Sequence, residues 1–520
     1  MSATEVGSTE TDTEVFIYTG EGGEIPPQNM VSVLVDPSVT SIPANAFDGR
    51  KKLAEVELCE GVVEIGDCSF SWCDHSITKI SIPNSLRRVN HYAFGFSLRT
   101  TIRLNDGIES IGRGAFAYCI FTNFRIPPLI TTIPYSMLYD CKSIFSLELP
   151  ENVTEIKSRA FGRCYCLRNV AFPPNAVFGD DNFIEMTDLL RLFGSNARII
   201  RELGHRFDRL PIHKLVYYQS YYQGVLQNVI AAMNMRSGQC SKLDQTGNQQ
   251  DCLGMTPLHI LACSSVHNLE LYCVIVEKYP ANLITEDRWG ALPLLYAIWG
   301  AAPVDIIQFL LARYQSLYPN HALNWTMMVE TMGRCDTPKE SIENLLHVRR
   351  MHFPEQPIDW EYLLDEFVNL ANPSDFCFPS TFTERMQFLF ICGLSLRVEG
   401  LAFKVWHDHI KHLIQTANFK WNENNSGILR SIREKLAHLE DELPKLKEAT
   451  TILELALWKM NICDTSHQQK SFRRQKEIKV EGASPRQQCR VTCGADVIIG
   501  HVMPYLISTG DDYYAMLPVE

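Results

Sequence analysis

No run of 18 uncharged apolar residues occurs in the 520-residue sequence. The closest stretch, residues 290–304, is 15 long and holds two glycines and two prolines, so no membrane-spanning helix is predicted. Positive charge is in deficit: 48 Lys+Arg against 60 Asp+Glu leave a net charge of −12, which argues against nucleic-acid binding through bulk charge. The first twenty residues are acidic and Ser/Thr-rich, without the basic start and apolar core of a secretory signal. The expected location is therefore the cytoplasm, with the nucleus as the alternative. Catalytic signatures are missing as well. There is no Gly-x-x-x-x-Gly-Lys-Ser/Thr phosphate loop, no Gly-x-Ser-x-Gly elbow and no His-Glu-x-x-His pair. Cysteine is not scarce, but the 17 present are read as reduced thiols in that compartment. Cys489 and Cys493 have no second pair at zinc-site spacing. On a helix His409 and His412 share a face while His407 lies opposite. No catalytic residue, cofactor or metal site is assigned, and the chain is not expected to be an enzyme.

What the sequence does hold is a repeat. The motif Ile-x-x-x-Ala-Phe returns with its last position at Phe47, Phe70, Phe94, Phe116, Leu138 and Phe161. Five residues earlier stands an aliphatic column: Ile42, Ile65, Val89, Ile111, Ile133 and Ile156. A second lies three residues before that, from Val39 to Val153, and another runs further upstream from Val35 through Leu58, Ile82, Leu104, Ile126 and Leu149 to Phe172. The upstream segments alternate apolar with variable residues, the period of a short strand with one buried face. Pro83, Pro127, Pro150 and Pro173 follow these segments and end the ladder, because proline has no N–H to donate. One such unit cannot bury its own apolar side, so neighbours must stack into a solenoid.

These residues resemble the leucine-rich repeats of the BspA-like class over Val31 to Phe172. The copy at 132–140 departs, with Met137-Leu138 in place of Ala-Phe, yet Leu138 keeps an apolar group in the slot. Cys73, Cys119, Cys141 and Cys164 each follow the Phe column by three residues and are expected as a column of small buried thiols. The outward strand positions, Leu34, Glu57, Ser81, Arg103, Arg125, Glu148 and Ala171, line the concave face. The resemblance implies that partners dock there.

From about Asn182 the spacing turns helical. Asp251-Cys-Leu-Gly254-Met-Thr256-Pro257-Leu258-His259 is similar to the start of an ankyrin repeat. A second copy, Asp287-Arg-Trp-Gly290-Ala-Leu292-Pro293-Leu294, keeps Asp, Gly and Pro-Leu. An upstream one, Leu210-Pro211-Ile212-His213, keeps Pro and His. Gly254 permits a tight turn, Thr256 suits a helix cap, and Pro257 suits the first turn. The resemblance implies that the His side chain ties adjacent loops together.

Residues 321–462 carry helical spacing broken by prolines. Leucines and Ile432 from Leu429 to Leu446 step as a heptad seam, which Pro444 interrupts. A diluted basic stretch lies between Lys470 and Arg490. The reading is an α+β repeat protein: a disordered acidic tail (1–25), a leucine-rich-repeat solenoid (26–178), ankyrin-like helical repeats (182–320), a helical domain (321–462) and a C-terminal segment (463–520). Its expected role is a monomeric, non-catalytic scaffold for other proteins, with no small-molecule substrate. The predicted partner contacts are Glu57, Arg103, Arg125 and Glu148 on the concave face, with Arg288 and Trp289 at a loop tip. The alternatives are a cell-surface adhesin of the BspA-like type, or an enzyme with its site in the helical C-terminal third, which a pocket near His407–His412 would support.

Overall fold

The computed structural model describes residues 15–20, 24–234, 244–334, 339–353, 355–359 and 362–363. The chain divides into two compact units, Met1–Leu345 with Val519–Glu520, and Leu346–Pro518. In the second unit the described residues include Arg349, whose Nε donates to the Gln356 carbonyl (2.9 Å). The heptad seam, the histidines at 407–412, Cys489, Cys493 and the basic stretch all lie outside the described residues.

The first unit opens as a succession of parallel strands in register. Phe16–Tyr18, Ser32–Val35, Glu55–Glu57 and Lys79–Ser81 form one four-stranded sheet. Asn123–Arg125 pairs with Ser146–Glu148 in the same sense. A second wall is built from two-residue strands: Ser41–Ile42, Glu64–Ile65, Arg88–Val89 and Ser110–Ile111 in one ladder, then Thr132–Ile133, Glu155–Ile156 and Val177–Phe178 in another. The alternation seen in the sequence is the cause. Val33 aligns with Val56 and Ile80, one above the other, so each inward side chain meets its equivalents in the next coil.

The Phe column forms the spine. Phe47, Phe70, Phe94 and Phe116 are fully buried, and their rings stack at 4.8, 5.4 and 5.6 Å. Leu138 continues the row, fully buried, so the departure at Met137-Leu138 costs the stack no apolar contact. Two residues before each Phe position the backbone turns left-handed, at Asn45, Cys68, Tyr92, Gly114, Ser136 and Arg159. That repeated turn swings each coil back over the last. Gly112 is needed for a second reason: a Cβ there would lie 2.5 Å from the Asn90 carbonyl carbon.

The solenoid starts earlier than its sequence pattern suggests. Residues 16–18 fall in the stretch expected to be a disordered tail, yet they form the first strand, with Tyr18 2% exposed and edge-on to Phe47 at 5.0 Å. The correction has a simple cause. The first full coil has an apolar end, and Phe16-Ile17-Tyr18 covers it by adding one more parallel strand.

At the other end Phe172, Phe178 and Phe183 cluster and helices follow. Three helix pairs succeed one another: Pro211–Tyr217 with Val225–Asn234, Pro257–Ala262 with Leu269–Lys278, and Pro293–Trp299 with Val304–Leu317. Each pair begins with proline in the first helical turn, where a missing N–H is harmless. The turns before the second and third pairs are built alike. Asp251 accepts from the N–H groups of Leu253 and Met255 (both 2.8 Å). Asp287 accepts from those of Trp289 and Ala291 (both 2.9 Å). His259 accepts from the Thr256 N–H at Nδ1 (3.1 Å) and donates from Nε2 to the Ala291 carbonyl (3.0 Å). His213 donates to the Gln249 carbonyl (3.0 Å). Burial pushes both imidazoles down, His213 to about 4.

Candidate interaction surface

The concave face divides into two halves, a four-stranded sheet at its N-terminal end and a two-stranded one further along. In the N-terminal half, register places Ile17, Leu34, Glu57 and Ser81 in one outward column. Ile17, Glu57 and Ser81 are exposed and Leu34 is half-buried. The neighbouring column holds Glu55 and Lys79, whose charged groups are 3.5 Å apart. No helix covers these strands with a hydrogen bond among the described residues.

The C-terminal half is covered by the chain's own helices. Glu148 is 2% exposed. One carboxylate oxygen accepts from the Ser265 N–H (2.7 Å) and from the Ser264 and Ser265 hydroxyls (both 3.0 Å). The other accepts from the Ser220 hydroxyl (2.5 Å). Arg125 pairs with Asp106 (2.6 Å), donates to the Ser220 carbonyl (2.9 Å) and lies over the Tyr221 ring at 4.4 Å. Arg103, still exposed, donates to the Ser265 carbonyl (2.6 Å). Of the concave residues singled out in the sequence, then, Glu57 stands open. Arg103, Arg125 and Glu148 face loops that the helical region lays across the sheet. Glu148 in particular has no free acceptor surface for an external partner in this arrangement. The sequence marks its outward position correctly, but the residues that bury it lie 72 to 117 positions away.

At the loop tip, Arg288 is exposed and its N–H donates to the Leu253 carbonyl (3.0 Å). Trp289 is half-buried, with the Arg168 guanidinium over its ring at 5.1 Å. It therefore packs inward as well as lining the turn.

Sequence reasoning passed over the residues that join solenoid to helices. Arg206 pairs with Asp251 at 2.7 Å with both side chains fully buried, and also donates to the Asn169 side chain (2.8 Å) and the Val170 carbonyl (2.9 Å). Arg168 pairs with Asp188 at 3.0 Å. The Tyr217 hydroxyl donates to the Leu147 carbonyl (2.7 Å) and accepts from the N–H groups of Leu149 (3.3 Å) and Ala171 (3.1 Å). The Tyr221 hydroxyl lies 2.8 Å from the carbonyls of Ile126 and Glu148. These strand groups would otherwise be desolvated without partners, which is costly. Asp251 is marked in the sequence only as the start of a turn motif, and nothing local announces its pairing with Arg206.

The cysteine column is present and its thiols are free. Cys73, Cys119, Cys141 and Cys164 donate to the carbonyls of Phe47, Phe94, Phe116 and Leu138 (3.0–3.5 Å). Ser97 fills the same place in the third copy, donating to the Phe70 carbonyl, and Arg50 stands there in the first. Burial pushes these thiols up, Cys73 and Cys119 to about 12, so they are held as neutral donors and not as nucleophiles. The reading of every cysteine as a reduced thiol fails at Cys166, which is disulfide-bonded; pairing depends on which sulfurs the fold brings together. Among the described residues no group of three or more His, Cys, Asp or Glu is placed to hold a metal ion, and no helix is long and apolar enough to cross a membrane.

Residues 27–97 and 64–189 match the model of the BspA type leucine rich repeat region, in six copies. No curated protein matches the chain. Among solved structures, the T. pallidum leucine rich repeat protein TpLRR is 24% identical with a TM-score of 0.30, covering 34% of this chain and 85% of that one. A leucine-rich repeat protein of Bacteroides ovatus is 26% identical (TM-score 0.26; 33% and 50% covered). A leucine rich cell surface protein of Faecalibacterium prausnitzii is 23% identical (TM-score 0.24; 32% and 55% covered). This chain thus spans about half the length of the latter two. The N-terminal part is a BspA-type leucine-rich repeat region of about six coils, followed by a helical region.

Proposed function

With a BspA-type leucine-rich repeat region at its N-terminal part, we propose that the chain is a non-catalytic interaction module whose partner docks on the open half of the concave sheet. That family suggests protein interaction or adhesion. The observation that carries the narrower reading is the contrast between equivalent outward positions of the repeat: Ile17 and Glu57 are exposed, whereas Glu148 is buried under Ser220, Ser264 and Ser265. The open strands present polar and apolar groups on a rigid floor, the usual form of a protein-docking face. Arg103, Arg125 and Glu148 hold the helical region against the sheet, and Arg288 extends the surface on the helical side.

The helical pairs are read as three degenerate ankyrin-type repeats. Support comes from the matched Asp251 and Asp287 turns, the left-handed Gly254 and Gly290, and the paired His213 and His259 links to the following loop. The cytoplasm is the proposed location. The free thiol column agrees with it, the Cys166 disulfide speaks against it, and fractionation of the tagged chain decides.

The test is affinity capture with the tagged full chain. Leu34→Asp and Glu57→Lys should abolish recovery of a partner that wild type retains, while Glu109→Lys, on the opposite ladder, should keep it. Unchanged recovery with Leu34→Asp and Glu57→Lys sinks the reading.

A further inference from the structure

The charges around the open half are sorted by strand end. The carboxyl ends carry acids: Asp36 directly after Ser32–Val35, Glu57 in the outward column, and Glu60 three residues beyond it. Glu57 makes no side-chain hydrogen bond or ion pair among the described residues. Glu60 accepts from the backbone N–H groups of Asn84 (3.0 Å) and Ser85 (3.1 Å), which holds its carboxylate in place across to the next coil. Asp36 accepts from the Ser38 N–H (2.8 Å). These hydrogen bonds keep Glu60 and Asp36 below the usual carboxylate range, so both stay charged into mildly acidic solution. Two lysines sit at the other rim, while Arg87 shares the rim of the acids, its Nη1 donating to the Asn84 carbonyl (2.6 Å). Lys51 and Lys52 lie in the turn that leads into Glu55–Glu57, and Lys79 is neutralised by Glu55. On the covered side Asp106 is neutralised by Arg125, whereas Glu57 on the open half has no such partner among the described residues. Beside it lie the apolar Ile17, 54% exposed, and Leu34.

We infer that the occupant of this face is a protein segment bearing lysine or arginine next to an apolar side chain, its cations over Asp36, Glu57 and Glu60 and its apolar group on Ile17 and Leu34. The inference rests on the docking reading above and adds the partner's chemistry. The open floor is four strands across, roughly 14 Å at about 4.8 Å per strand. It ends where Arg103 meets the Ser265 carbonyl, which limits the footprint to a short segment. Lys51 and Lys52 orient it, because a basic segment laid over the amino ends would meet like charge.

The experiment uses the full chain and three fluorescein-labelled ten-residue probes with the same leucine spacing, in which the remaining positions are lysine, serine or glutamate. Anisotropy titration should show the lysine probe binding at least about tenfold more tightly than the glutamate probe, and weakening with added salt. A chain with net charge −12 attracts cations generally, so the deciding arm is charge-matched. Glu57→Gln with Glu60→Gln should weaken the lysine probe about five- to tenfold, whereas Glu109→Gln with Glu286→Gln should leave it within about twofold. Equal losses in the two double variants, or no preference for lysine over glutamate, overturn the inference. If capture of a cellular partner still depends on Leu34 while the probes show no charge preference, the docking face stands and only its assigned chemistry falls. If Leu34→Asp changes neither capture nor probe binding, the docking reading itself falls.

Discussion

The two parts of the concave face are made of the same repeat and have opposite fates. Around Glu57 the outward column meets solvent; around Glu148, four coils later, the equivalent position is walled in by Ser220, Ser264 and Ser265. The inward faces hardly differ, since Val56 and Leu147 are both buried. A solenoid therefore sets its core coil by coil, but what stands on its concave face is decided by whatever the rest of the chain lays there. An outward charged residue in a repeat array is a partner contact only where the chain leaves it bare.

The sharpest way to break this contrast is Glu148→Ala. It leaves the Ser265 N–H and three hydroxyls without their charged acceptor, and should cost about 3 kcal/mol of stability in urea unfolding. A cost under about 1 kcal/mol would mean that the helical region is not held there. Acidification comes next. His213 is buried with its pKa lowered to about 4, against roughly 6.5 when unfolded. Below about pH 6.5 the unfolded chain takes up a proton that the folded chain refuses. Stability is then full above that value and falls as the pH drops toward 4, by about 2 kcal/mol at pH 5 from this group, with His259 acting in the same direction. A His213→Gln chain should lose correspondingly less between pH 7 and pH 5 in thermal melts, and an identical loss would refute the assignment.

Tyr217→Phe removes one hydroxyl from three strand groups and should cost about 1.5 kcal/mol. Amide exchange should rise at Leu149 and Ala171 and stay level at Val33 and Val56. Smallest is Glu57→Ala, an exposed residue, which should move stability by no more than about 0.5 kcal/mol while reducing partner capture. A large loss of stability would show that Glu57 has a structural role after all.

Much of this was readable before any coordinates. The columns through Phe47 and Ile42 predict buried rows, and those rows are buried. The cysteine column predicts small buried groups, and Ser97 in the third copy shows what the interior coils place there, a short side chain able to donate to a carbonyl one coil back. The strand at Phe16–Tyr18 was not legible because it lacks the rest of the repeat; only the apolar end of the first coil gives it a place. Arg206 and Asp251 illustrate a different limit. They stand 45 residues apart, and nothing in either neighbourhood marks a fully buried ion pair.

Sequence alone determined the repeat, because an apolar group at fixed spacing must be buried and only stacking neighbours can bury it. It also determined where helices begin, through the prolines at 211, 257 and 293. Tertiary structure alone decided which part of the concave sheet remains open. Exposure is a property of what approaches a residue across space, and Ser264 and Ser265 reach Glu148 from more than a hundred positions away.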